Sequence, residues 1–126
     1  MPRTITISVG QISAQAELND SFCADAVYQA LPITGRVNTW GQEIYFDTPV
    51  DCPLAKDGRT DMDVGELGYW PAGNAVCIFF GPTPASTEDG RPRAASRVNP
   101  IGRVIDDVTV FRGARDGESI VLSAGA

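Results

Sequence analysis

Apolar and polar residues alternate almost from the start of the chain. Ile5, Ile7 and Val9 interleave with Thr4, Thr6 and Ser8. Beyond Gly10 the phase shifts, and Ile12, Ala14, Ala16 and Leu18 interleave with Ser13, Gln15 and Glu17. Two period-two runs of opposite phase around a glycine predict a β-hairpin. Asn19-Asp20-Ser21 then supplies N-cap chemistry. Cys23, Val27, Ala30 and Leu31 share one stripe at helical spacing before Pro32, which predicts one helix over about 21–31. Ile33 to Asn38 leads to a second strand region. Over Gln42–Asp47 the period returns to two, with Ile44 and Phe46 on one face and Glu43, Tyr45 and Asp47 on the other. Pro49 to Gly58 is turn-rich. Asp61 and Asp63 alternate with Met62 and Val64, which turns the acids to water. Ala75 to Phe80 is an unbroken apolar run, the pattern of a strand buried on both sides. Ala85 to Val98 has no period and reads as a loop. Gly102–Val104, Val108–Phe111 and Ile120–Leu122 read as short strands. Many short strands with one helix predict a mainly β fold, a closed or nearly closed barrel that leaves no exposed edges.

The chain has 126 residues, the size of a single domain spanning 1–126, and its 43% apolar content supports one core. No apolar run approaches the length needed to cross a bilayer, and the Met1–Thr4 lead-in has no signal-peptide core. Three cysteines at wide spacings, Cys23, Cys52 and Cys77, favour a reduced compartment, and a cytosolic protein is expected. Cys77 reads as a core residue and Cys52, near a proline turn, as the most exposed of the three. The absence of histidine removes Ser–His and Cys–His catalysis and the usual catalytic zinc sites. A net charge of −6 argues against nucleic acid as a partner. No phosphate-loop or dinucleotide fingerprint is present, and no cofactor, metal or membrane partner is expected.

Candidate chemistry is concentrated in aromatic and turn residues. Gly68 to Pro84 holds an aromatic–proline turn, a glycine–asparagine turn, the buried run and a double-proline exit. Trp40 and Trp70 both lie beside turns; they either plug an end of the barrel or wall a groove with Tyr45. Glu43 and Asp47 are four strand residues apart, about 13 Å, too far for a glycosidase carboxylate pair, so a solvated face competes with a functional one. Asn38 and Asn74 suit tight turns or could present amides to a ligand. Arg91, Arg93, Arg97 and Arg103 could clamp an anion or pair with neighbouring acids. Asp61/Asp63 and Asp106-Asp107 lack calcium-loop spacing.

Several blocks, in order, carry a family likeness: Tyr28 to Ile33, Asn38 to Phe46, Gly65 to Pro71, and Gly73-Asn74 through Phe79-Phe80-Gly81-Pro82-Thr83-Pro84. With them the chain resembles a family of small prokaryotic cyclophilin-like proteins of uncharacterised function, from Ile5 to about Val121. The resemblance implies a mostly antiparallel, closed β-barrel of about eight strands with a helix over an open end. Cyclophilin-type prolyl isomerases use a strand arginine whose guanidinium assists rotation about the prolyl bond, against an uncatalysed barrier of ~18–20 kcal/mol. This chain has no arginine between Arg36 and Arg59, and the comparable strand reads Glu43-Ile44-Tyr45-Phe46-Asp47. The likeness therefore carries the fold without carrying the isomerase donor.

The expected function is binding of a small molecule or a short proline-containing peptide. The groove would be lined by Trp40, Glu43, Tyr45, Trp70, Asn74 and Phe80, with Arg93 at its rim. The alternatives are an isomerase using Arg36 or Arg103 as donor, or a regulatory partner domain. The protein is expected as a monomer or small homo-oligomer.

Overall fold

A computed structural model describes residues 3–125. The hairpin forms as patterned: β1 (Arg3–Val9) pairs antiparallel with β2 (Ile12–Leu18), and Ile5, Ile7, Val9, Ala14, Ala16 and Leu18 are buried. Helix α1 (Phe22–Gln29) starts at Ser21, whose side chain accepts a hydrogen bond from Ala24 N. It buries Cys23, Ala24 and Val27. The Leu31–Pro32 peptide is cis. No helix among the described residues is long and apolar enough to cross a membrane.

Eight further strands complete the sheet: β3 (Ile33–Arg36), β4 (Asn38–Thr39), β5 (Glu43–Asp47), β6 (Arg59–Asp61), β7 (Glu66–Trp70), β8 (Ala75–Phe79), β9 (Arg93–Val104) and β10 (Ser119–Ala124). Their order is β3-β10-β1-β2-β9-β7-β8-β5-β4, all antiparallel, with β6 on β9 off this path. The fold is thus mainly β with one main helix, but the expectation of a closed eight-stranded barrel does not hold. Among the described residues the sheet has ten strands and is not closed. The reason lies at Val37. Its N–H and C=O bond to Glu118 and Gly117 on the β10 side, while the next two residues pair with β5. The path therefore ends on the consecutive strands β3 and β4, and β3 lies against β5 without forming a ladder. Gly35 makes that contact possible, because a Cβ there would lie 3.1 Å from the Phe46 ring and 3.3 Å from Asp47 O.

Three other expectations are corrected. The loop assigned to Ala85–Val98 ends at Pro92, and Arg93–Val98 is the first half of β9, paired with β6. Val108–Phe111 is not a strand. It lies in a 3₁₀ helix (Val108–Gly113) capped by Asp107, whose carboxylate accepts from Thr109 N and Oγ1. Cys52 is buried, as are Cys23 and Cys77. The turn-rich 49–58 stretch folds inward over Cys52, held by Asn99, which accepts from Ala55 N and donates to Pro53 O. Asp61 and Asp63 do face water, while Val64 is exposed alongside them.

Tyr69 ties the same stretch to the main core. It is fully buried, donates to Val50 O at 2.6 Å and accepts from Cys52 N at 3.3 Å. Val50 O also receives the Asn74 amide at 3.3 Å, so removing the hydroxyl strands mainly the Cys52 N–H. Tyr69→Phe is expected to lose about 1–3 kcal/mol in urea denaturation, the range for one buried donor left unsatisfied.

Candidate functional site

The alternation on β5 decides where the candidate site lies. Ile44 and Phe46 enter the main core, so Glu43 and Tyr45 project from the opposite face of the sheet. Antiparallel register places Glu43 beside Phe79 and Tyr45 beside Cys77 of β8. On β7, Gly68 pairs with Cys77 and Trp70 with Ala75. This outer face is covered rather than solvated. Met62, Cys77, Phe79, Ala94 and Val98 form a second buried cluster, with Tyr45 and Trp70 packed against it. Gly68 leaves room for that cover: a Cβ there would lie 3.0 Å from a Val98 methyl. Strand β8 is therefore buried on both faces, as its unbroken apolar run predicts.

Between the outer face and the first half of β9 lies a pocket of about 200 Å³ lined by Trp40, Glu43, Tyr45, Trp70, Cys77, Ala94, Ala95 and Val98. Tyr45 meets Trp70 edge to face, with centroids 6.2 Å apart and planes at 80°. The Trp70 indole N–H donates to Ser96 Oγ at 2.6 Å, which fixes the ring against β9. Trp40 follows β4, its backbone N–H donating to Glu43 O at 2.9 Å, so the loop that carries Trp40 is pinned beside the carboxyl-bearing residue.

Glu43 is the unusual group. It is 5% exposed, and its Oε1 is buried with no hydrogen-bond partner. Burial pushes its carboxyl up from 4.5 to about 7, and the neighbouring Cys77 thiol offsets part of that rise. Burial, then the adjacent Glu43, raises the Cys77 thiol well above its ordinary range, so it is not a ready nucleophile. Burial, and secondarily Cys52, also raises the Cys23 thiol. An acid held near neutrality among aromatic rings can accept a hydrogen bond from a cationic donor when ionised, or donate one when protonated.

Four of the seven sequence-derived groove residues, Trp40, Glu43, Tyr45 and Trp70, come together in this pocket. The other three are placed elsewhere. Asn74 is in the left-handed region (φ 49°) at the end of the 3₁₀ turn Pro71–Gly73, and its amide bonds Val50 O and Asp51 Oδ1. Phe80 enters the main core against Phe111. Arg93 pairs with Asp61 at 3.8 Å. Sequence reasoning missed Cys77, Ala94, Ala95 and Val98. Of these, only Cys77 carried a signal, since its alternation with Val76 and Ile78 puts it on the face of Tyr45.

The remaining candidates have other roles. Asn38 Nδ2 donates to Tyr45 O and Arg36 O, and Arg91 bonds Met62 O and Asp63. Asp106 accepts from Gln15 N at 2.7 Å. Arg36, weighed above as an isomerase donor, bonds Gly117 O. Arg103 borders a separate depression of about 360 Å³ with Glu17, Asn19, Asp20 and Glu66. Glu66 there is held by a two-pronged ion pair with Arg59. Neither arginine lines the aromatic pocket. Among the described residues no group of three or more His, Cys, Asp or Glu side chains could hold a metal ion.

A family model described as cyclophilin-like matches residues 3–123. The hypothetical protein AF2241 from Archaeoglobus fulgidus, known from a solution structure, is 33% identical; the match covers 98% of this chain and 95% of that one, with a TM-score of 0.83. McbB, known in complex with tryptophan, is 13% identical; the match covers 97% of this chain but 45% of that one, with a TM-score of 0.72. That second likeness is one of fold. No curated protein matches the chain.

Proposed function

The chain belongs to the cyclophilin-like family, and from that premise we propose that it binds a small molecule, or one side chain of a short peptide, in the pocket between β5, β8 and the first half of β9. One observation carries the reading. Side chains from four strands and the β4–β5 connection converge on a cavity whose lining includes Glu43, one of whose carboxyl oxygens is buried without a partner. A native fold rarely tolerates such a group unless something else satisfies it. Apolar walls with a few convergent polar groups are the ordinary makings of a small-ligand site. The volume suits a single ring, such as an aromatic metabolite or a prolyl ring, rather than an extended peptide. Catalysis is not part of the proposal, since no cation stands at the pocket to stabilise a twisted amide.

The chain has two tryptophans, both at the site, so its two indole N–H signals report directly on occupancy. Titration with a set of single-ring metabolites and Xaa-Pro peptides is expected to shift both indole signals together with Tyr45 and Ala95. Shifts confined to residues outside the pocket, or none with any member of the set, would refute the reading.

A further inference from the structure

Whatever occupies this pocket meets a strongly asymmetric lining. Its one carboxyl has an oxygen that is buried without a donor, and around it are three aromatic side chains, a thiol and apolar groups. No arginine or lysine is among the lining residues, and Arg93, beside Ala94 on β9, is paired with Asp61. An anion would meet a carboxyl with no cation to offset it. A neutral hydrocarbon would leave the orphaned oxygen unsatisfied. A metal ion would find a single carboxylate ligand.

We propose that the ligand of this pocket is an organic ammonium ion, a protonated amine on a small ring or alkyl body. Its N–H would donate to the Glu43 carboxylate, with Trp40, Tyr45 and Trp70 supplying aromatic surface around the cation. The proposal rests on the reading of the pocket as a ligand site and adds its chemical class. Three physical effects favour that class. A charge-assisted hydrogen bond satisfies the buried oxygen. Aromatic faces attract cations, most strongly where water is excluded. The net charge of −6 raises the local concentration of cations at the surface and lowers that of anions.

Recognition of this kind depends on the charge of Glu43. The titratable side chains facing it are Cys77 from β8 and Tyr45 on its own strand, while β9 presents Ala94, Ala95 and Val98 and β7 presents Trp70. With the Glu43 carboxyl near 7, it is largely ionised at pH 8 and largely protonated at pH 5.5. Ammonium affinity is therefore expected to rise with pH across that window, whereas a neutral acceptor would favour the acidic side.

The test uses three probes of nearly equal shape: benzylammonium, benzyl alcohol and benzoate. Calorimetry and the two indole N–H signals are read at pH 5.5 and pH 8, where the amine stays protonated. Benzylammonium is expected to bind about tenfold or more tighter than benzyl alcohol at pH 8, with the preference shrinking at pH 5.5 and benzoate weakest. Glu43→Gln is expected to abolish the preference while leaving the indole spectrum of the free protein in place. The wild-type pH dependence decides the matter even if that variant folds poorly. Equal shifts from all three probes would overturn cation selection while leaving the pocket reading intact. Tighter binding of the alcohol or benzoate, or no response to benzylammonium, would also overturn it. The pocket reading itself fails only if the wider metabolite and peptide set also leaves both indoles unmoved.

Discussion

Glu43→Gln is expected to gain about 3 kcal/mol of stability on the parent chain as the pH is raised from 4 to 8. In the folded state the Glu43 carboxyl stands at about 7 against an ordinary 4.5. Between these values the folded protein holds a proton that the unfolded chain has released, so the parent loses stability as pH rises through the window. The stabilising side is the acidic one, complete below about 4.5 and gone above about 7. A rise of this size corresponds to about 3 kcal/mol. Glutamine keeps the shape and never charges, so its stability lacks this component. Urea denaturation of both proteins across the range checks it, because the other acids titrate in both and cancel in the difference. Two parallel stability profiles would show that Glu43 ionises in an ordinary environment.

Gly102→Ala is expected to be more damaging still, costing about 3 kcal/mol or more or preventing folding. The sheet path crosses from its first half to its second only between β2 and β9, through three residue pairs, Ala16–Val104, Glu17–Arg103 and Leu18–Gly102. A Cβ at Gly102 would lie 2.1 Å from Glu17 O and 3.0 Å from Leu18 Cα, backbone atoms of the partner strand that no rotamer change can move. The strands would have to separate where the junction has least redundancy. Gly113→Ala is the matched control. Its Cβ meets only the Ile12 Cδ1 atom at 3.4 Å, so a change within about 1 kcal/mol is expected. Thermal and urea unfolding of the two variants measure the contrast; equal stabilities would mean that the β2–β9 junction yields more readily than its backbone spacing implies.

The β1–β2 hairpin, helix α1 and β8 are legible in the sequence because each carries a local signal: a phase flip, a cap with a stripe, or an unbroken apolar run. The first half of β9 carries none. Arg93-Ala94-Ala95-Ser96-Arg97-Val98 has neither alternation nor β-branched enrichment, and its extended path is imposed by β6 and by the room above Gly68. The β-branched Val108-Thr109-Val110 run misleads in the opposite direction, because the Asp107 cap and the following turn outweigh a weak strand propensity. The same blind spot limits the site. Alternation places Glu43 on the polar face of β5 with Tyr45 and Asp47, yet β9 folds over part of that face, leaving Asp47 exposed and Glu43 buried. Nothing local to Glu43 announces a cover supplied from 50 residues along the chain. Trp40 and Trp70 lie beside turns, where a large aromatic either plugs an end of the fold or walls a groove, and the structure places both at the pocket. Asn74 and Phe80 have structural uses that only tertiary contacts reveal.

A pocket lined by Glu43, whose Oε1 is buried without a partner, makes one measurement decisive for the proposed binding: the titration of the Glu43 carboxyl carbon by ¹³C NMR, in the free protein and with saturating benzylammonium. The expected midpoint is near 7 in the free protein. It should move lower when the ammonium ion is bound, because the cation favours the ionised form. A midpoint near 4.5 that no ligand displaces would contradict both the closed environment of Glu43 and its proposed part in binding.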